Sequence, residues 1–191
     1  GRTATLHIHA HKELEILMRP WLDYFCRGID FTVEFHAFNG NESEIIYEDR
    51  SVTVSTIPLK HRVPCSGFLF AEKQTPAHII RDMIDFYQVP VYELNRIKNG
   101  GDFITPDGKV IPHNKLTTPS NPPRKYAYCS DTIYLPQNRE LLEKVDLLFH
   151  EATFAHENEA RARETFHTTA SQAAILARDA NAKQLLIGHF S

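Results

Sequence analysis

A stretch that reads Tyr126-Ala127-Tyr128-Cys129-Ser130-Asp131-Thr132 indicates the fold most directly, because a β-forming run ends in a polar tip carrying a carboxylate. Two later stretches share this design: residues 147–149 run into His150-Glu151, and residues 185–187 run into Gly188-His189. A helical pattern lies between them, with Thr168 or Thr169 placed to cap it. Strands that alternate with helices predict an α/β fold.

The composition describes an ordinary globular domain, with 42% hydrophobic and 24% charged residues in 191 positions. The formal net charge of -3 excludes a protein whose overall field holds polyanions. Its three cysteines are far apart, which argues against a disulfide framework and a paired-cysteine zinc site, and favours a reducing compartment such as the cytoplasm. No apolar run approaches the roughly 18 residues of a membrane span, so no membrane partner is expected.

The first half of the chain predicts a strand over residues 3–10 and an amphipathic helix up to Phe25. Three β-rich runs follow at residues 31–38, 44–47 and 51–59, and we expect them to form an antiparallel meander. A further strand over residues 67–72 and a helix over residues 77–87 come next.

A proline-rich stretch interrupts this order between Gln88 and Pro123. Its lack of periodicity predicts a long irregular excursion of the kind that forms functional loops. Beyond it we expect a helix around residues 138–144. The expected organisation is therefore one domain over residues 1–191, with an excursion at about 88–123.

Polar side chains collect at the predicted strand ends, where Asp131, Glu151 and His189 follow three strands and His61 follows a fourth. In an α/β sheet such ends line one edge, where ligands bind. A single such residue is more simply a capping aspartate or a hydrogen-bonded core histidine, but four together favour a ligand site. Carboxylate and imidazole without paired cysteines suit zinc or manganese, and two ions become plausible.

Several segments also carry a family resemblance: residues 128–132, His150-Glu151-Ala152-Thr153-Phe154, residues 166–174 and Gly188-His189-Phe190-Ser191. In this order they resemble the successive motifs of ribonuclease Z, the tRNA 3′-processing endonuclease of the metallo-β-lactamase superfamily. The resemblance implies a metallo-β-lactamase-like αββα sandwich. We expect this sandwich to be incomplete at both ends, because the family's His-x-His-x-Asp-His motif is missing and the chain stops at Ser191.

The resemblance also implies a metal centre. In it His61 binds one zinc ion, Asp131 bridges two, and His189 binds the other. The full-length enzyme would hold two Zn²⁺ per subunit, and this chain supplies three of the seven usual ligands.

The resemblance assigns proton transfer to Glu151 and His167, with His150 supporting the pair. Lys60 and Arg62 flank His61, and we expect them to contact the substrate. Precursor tRNA and a second copy of the chain are the expected partners.

An alternating run, His7-Ile8-His9-Ala10-His11, could place three imidazoles on one strand face. No aspartate precedes its last histidine, so we expect a solvent-facing or edge strand rather than the missing metal motif.

The function expected for the full-length parent is zinc-dependent removal of the 3′ trailer from precursor tRNA, with this chain inactive by itself. Another phosphodiesterase or hydrolase of the same superfamily is one alternative. A non-catalytic RNA-binding or dimerisation module is a second. The converging carboxylates and imidazoles weigh against the second alternative, because a binding module does not need them.

Overall fold

A computed structural model describes residues 1–191 and divides them into two compact units. Unit 1 comprises Gly1–Ala71 and Arg124–Ser191, and unit 2 comprises Glu72–Pro123. None of the helices has the length and hydropathy that crossing a bilayer requires.

Unit 1 begins with six elements: β1 (Leu6–Ala10), α1 (Lys12–Phe25), β2 (Val33–Ala37), β3 (Ile45–Glu48), β4 (Val52–Pro58) and β5 (Ser66–Glu72). Unit 2 contains β6 (His78–Ile79), α2 (Arg81–Phe86), α3 (Leu94–Lys98), β7 (Phe103–Ile104), β8 (Val110–Ile111), α4 (His113–Leu116) and β9 (Thr117–Thr118). Unit 1 then resumes with β10 (Lys125–Cys129), β11 (Leu147–Glu151), α5 (Glu159–Thr165), α6 (Ala170–Asp179) and β12 (Leu185–Gly188).

The main sheet of unit 1 has six strands in the order β12-β11-β10-β5-β4-β3. The strands β10, β11 and β12 are parallel, and β5 runs antiparallel to β10. Parallel strands buried against helices need apolar residues along their length. Leu148 of β11 and Leu176 of α6 accordingly lie fully buried in one core cluster.

A separate two-stranded sheet corrects the predicted meander. The run at residues 31–38 forms β2, which pairs in parallel with β1 instead of joining β3 and β4. The α1 helix provides the crossover that a parallel pair needs. Arg19 of α1 lies over the Phe35 ring at 5.0 Å and donates to the Val33 carbonyl at 3.3 Å, so the helix covers one face of this sheet.

Unit 2 corrects the expectation of an irregular excursion. It has its own core of Ile84, Val89, Ile97, Phe103, Ile111 and Leu116. These residues are spread over short elements without one repeating period, which is why the sequence looks like a loop. The predicted helix over residues 77–87 begins only at Arg81, after the short strand β6.

A second helix prediction is also wrong. Around residues 138–144 the chain forms a 3₁₀ segment over Pro136–Arg139 followed by turns. The crossover from β10 to β11 therefore contains no α-helix, while Leu142 and Val145 still pack into the core.

Candidate active site

The carboxyl ends of β10, β11 and β12 place three polar tips at one edge of the main sheet, because parallel strands all end on the same side. Asp131 lies two residues past β10, Glu151 is the last residue of β11, and His189 follows β12. The loop after α5 brings His167 to the same edge. His61, which follows β4, completes the set.

Glu151 is the buried anchor of this site, with no exposed surface. Its Oε1 accepts from the amides of Thr132 at 3.1 Å and Thr168 at 3.0 Å, and from Nδ1 of His167 at 3.0 Å. Its Oε2 accepts from the Thr153 amide and hydroxyl, each at 2.9 Å. A buried carboxylate is tolerated only when donors surround it in this way.

The Thr153 hydroxyl fixes how His189 carries its proton. Its one hydrogen goes to the Glu151 carboxylate, which can only accept. Nδ1 of His189, 2.7 Å from the same hydroxyl oxygen, must therefore be the donor in that contact. In the neutral ring this leaves Nε2 of His189 with a free lone pair, and this nitrogen lies 3.5 Å from Oδ1 of Asp131.

His61 is held in the equivalent tautomer by the loop after α5. Phe166 ends that helix in the left-handed region, with φ of 61°, and its carbonyl oxygen lies 3.0 Å from Nδ1 of His61. Because a carbonyl only accepts, Nδ1 donates and Nε2 keeps its lone pair. Such outer contacts are what orient imidazole ligands in metal sites.

His167 lies between the other two rings. Its centroid is 4.9 Å from that of His61 and 5.4 Å from that of His189, onto which it stacks. Since Nδ1 donates to Glu151, Nε2 is the nitrogen that can face a ligand. The donor atoms of His61, Asp131 and His167 all lie within 4.8 Å of one another, as do those of Glu151, His167 and His189.

The predicted metal residues fit a zinc-type site in their chemistry. His61 and His189 each present a free Nε2, and Asp131 adds a carboxylate within reach of His189. Two imidazoles and a carboxylate are ordinary zinc donors.

His150 is placed away from this group of side chains. It is 1% exposed, and its Nδ1 lies 2.7 Å from the Glu151 carbonyl oxygen rather than from the Glu151 carboxylate. Burial lowers the pKa of His150, so its ring is neutral in the folded chain. Its structural contact is therefore with the backbone of β11.

Lys60 and Arg62 are exposed beside His61, as predicted. Their loop is tied to the residues after β10, because the Lys60 amide donates to the Thr132 hydroxyl at 3.0 Å and its carbonyl accepts from Ile133 at 2.9 Å. Both side chains line an open cavity of about 730 Å³ together with His11.

Three threonines belong to the site but were not predicted as site residues from the sequence: Thr132, Thr153 and Thr168. Thr168 also donates its hydroxyl to the Thr132 carbonyl at 2.7 Å, which joins two of the loops. Their position in the sequence could have indicated this role, since each follows a predicted site residue by one or two positions. Arg163 is a further omission, because it lines a smaller cavity with His167.

Comparisons with known proteins agree with this fold. A family described as "Beta-lactamase superfamily domain" matches residues 118–190. The crystal structure of human tRNase Z, short form, has a TM-score of 0.65 at 20% identity, covering 98% of this chain and 61% of that one. A long-form RNase Z from yeast has a TM-score of 0.62 at 15% identity, covering 100% and 25%. The chain thus has a metallo-β-lactamase-like αββα fold.

Within that class, the whole chain is homologous to curated proteins named Ribonuclease Z. It is 67% identical to the one from Phocaeicola vulgatus, 63% to one from Bacteroides fragilis and 40% to the one from Azobacteroides pseudotrichonymphae, over all 191 residues. The chain spans 62%, 63% and 61% of the lengths of these relatives.

Proposed function

We propose that the full-length parent of this chain is a zinc-dependent endoribonuclease that removes the 3′ trailer from precursor tRNA. The observation that carries this proposal is the buried Glu151 carboxylate, which holds His167 beside Asp131, His61 and His189. The homology to proteins named Ribonuclease Z supports the choice of substrate.

Zinc would be held in this chain by His61, Asp131 and His189. When bound there, it would supply Lewis-acid stabilisation of the charge that develops on the scissile phosphate.

His167 would act as the general acid. Glu151 orients its ring through Nδ1, so Nε2 faces the site and can donate a proton to the departing ribose 3′ oxygen. The product tRNA then carries a 3′-hydroxyl. His150 would keep the end of β11 in place through its backbone contact.

Lys60 and Arg62 would hold the phosphates that flank the scissile bond. Both are cations on a loop whose backbone is pinned to residues 132 and 133. Contacts of this type position a nucleic acid without reading its sequence.

The test is cleavage of a precursor tRNA by this chain and by a version extended at its N-terminus with the corresponding segment of a curated relative. We expect the extended version to bind about two zinc ions and cleave, and the 191-residue chain to be inactive. Asp131→Asn and His167→Ala in the extended version should abolish cleavage, whereas His156→Ala, at an exposed histidine, should not.

Three outcomes would contradict the proposal. Cleavage by the short chain would overturn the ligand assignment. Hydrolysis of bis(p-nitrophenyl) phosphate without tRNA cleavage would favour another phosphodiesterase of the superfamily. Salt-dependent RNA binding without cleavage, unchanged by His167→Ala, would favour a binding module.

The expected dimer is a separate proposal. Along α1 the side chains of Ile16, Leu17, Trp21 and Phe25 are each 67–68% exposed, which is unusual for apolar residues on an amphipathic helix. A second copy would cover them. Sedimentation of this chain should show a dimer that Trp21→Glu dissociates and Tyr92→Glu leaves intact. If the unsubstituted chain is a monomer, the proposal is contradicted.

The cytoplasm remains the proposed location. Cys26, Cys65 and Cys129 are all free in the structure, which agrees with a reducing compartment.

A further inference from the structure

The sheet formed by β1 and β2 has a face rich in histidine. The parallel register pairs His7 with Glu34 and His9 with His36, and side chains alternate along each strand, so these four share one face. We call it the histidine face. The sequence shows the alternation of His7 and His9 but does not indicate their partners on β2, because the pairing of these strands is not a local pattern.

Three donor atoms converge on this face. Nδ1 of His7 lies 2.9 Å from Nε2 of His36 and 3.4 Å from Oε2 of Glu34, and Nε2 of His36 lies 3.9 Å from the same oxygen. Ligands of a tetrahedral zinc ion are separated by about 3.3 Å, as zinc–ligand bonds of about 2.0–2.1 Å require. The three observed distances bracket that value.

A hydrogen bond between the rings of His7 and His36 does not give every polar atom of the cluster a partner. If His36 donates, Nδ1 of His7 presents a lone pair to the Glu34 oxygen; if His7 donates, Nε2 of His36 does so instead. In either case two acceptors oppose each other. One cation shared by all three atoms removes the conflict.

The cluster has the support and the access that an ion site needs. All three residues belong to paired strands, and the ring of His9 stacks on that of His36 at 4.7 Å. The side chains of His7, Glu34 and His36 are 52%, 50% and 43% exposed, so an ion can enter from solvent. The cluster shares no residue with the two groups at the candidate active site.

We propose that His7, Glu34 and His36 form a second metal site, which takes a divalent ion of the zinc class and leaves one position to water. Two imidazoles and one carboxylate favour such an ion over magnesium or calcium, which prefer oxygen ligands. Bound there, the ion links β1 to β2 and stabilises the two-stranded sheet. His9 is a positioning residue that holds the His36 ring.

The test is calorimetric titration of this chain with zinc chloride. It is done in a His61→Gln, His167→Gln, His189→Gln background, which removes the three imidazole donors of the candidate active site. We expect one ion to bind, and His7→Gln or His36→Gln to weaken binding by at least about tenfold, the loss already seen when only an outer partner of a ligand is removed. Glu34→Gln should weaken zinc binding as well. Zinc should raise the midpoint of thermal unfolding only for those chains that bind it.

His113→Gln is the matched control, because His113 is also exposed and also faces a carboxylate, that of Asp102 at 3.4 Å. It should bind zinc as the background chain does. His9→Phe keeps a stacked ring without nitrogens and should retain the ion. The proposal is overturned if the background chain binds no zinc, or if the Gln variants, folded by circular dichroism, bind it as the control does.

Discussion

The carboxylate of Glu151 accepts from three backbone amides, a hydroxyl and an imidazole, and every one of these groups is a donor. In Glu151→Gln an NH₂ group replaces one carboxylate oxygen. Both oxygens accept from donors, so the NH₂ group faces donors whichever oxygen it replaces. We expect the variant to lose about 1–3 kcal/mol of unfolding free energy, the usual cost of an unsatisfied buried polar group. Urea titration measures this loss.

Glu157→Gln serves as the control, since Glu157 is an exposed residue of the 3₁₀ segment His156–Asn158. It should stay within about 0.5 kcal/mol of the parent, as ordinary surface changes do. Equal stability of the two variants would show that the Glu151 network contributes nothing to folding.

His150 gives the chain a dependence on pH. Burial lowers its pKa below the 6.5 of an unfolded histidine, so the unfolded chain takes up a proton that the folded chain does not. Stability from this residue is complete above about pH 7 and declines as the pH falls toward the lowered value. In His150→Gln the urea midpoint should therefore fall less steeply between about pH 7 and pH 5.

The same titration on His156→Gln should keep the parent's slope, because His156 is exposed. Parallel slopes for the parent and His150→Gln would refute the assignment of this effect to His150.

At the scale of elements, the start of α6 was predictable to within one residue, since the sequence offers Thr168 or Thr169 as its cap and the structure uses Thr169. Thr169 accepts from the Gln172 amide at 3.2 Å, and the Gln172 side chain accepts from the Thr169 amide at 3.1 Å, forming a capping box. Thr169→Ala should cost about 1 kcal/mol, within the usual range for losing a cap. Thr169→Ser keeps the hydroxyl and should cost far less, and thermal unfolding of both variants distinguishes them.

The strand ends that carry Asp131, Glu151 and His189 could also be predicted, because an apolar run with a polar tip is a local pattern. The pairing of β2 with β1 could not be predicted, since the sequence of a strand does not determine which other strand it pairs with. Without knowledge of that pairing, the sequence gives no reason to expect Glu34 beside His7. The contact between Thr153 and His189 was hidden for a similar reason, because it joins residues 36 positions apart.

At the scale of the whole molecule, the two segments of unit 1 that flank unit 2 in the sequence are joined by strand pairing. Ala71 at the end of β5 pairs with Lys125 at the start of β10. Replacing residues 72–124 by Asn-Gly would join the two strands by a tight hairpin turn. Because each unit has its own core, we expect the shortened chain to keep a cooperative unfolding transition.

Differential scanning calorimetry tests this expectation, with a longer flexible Gly-Ser linker in place of Asn-Gly as the control for turn strain. If neither shortened chain shows a transition, unit 1 does not fold without residues 72–124.

The burial of one carboxylate also has a consequence for local motion. The amides of Thr132, Thr153 and Thr168 lie on three separate segments, yet all donate to Glu151. None of these segments can open without leaving a buried charge short of a donor, so their fluctuations are tied together. Hydrogen exchange should reveal one shared opening free energy for the three amides, and in Glu151→Gln each should exchange at its own rate.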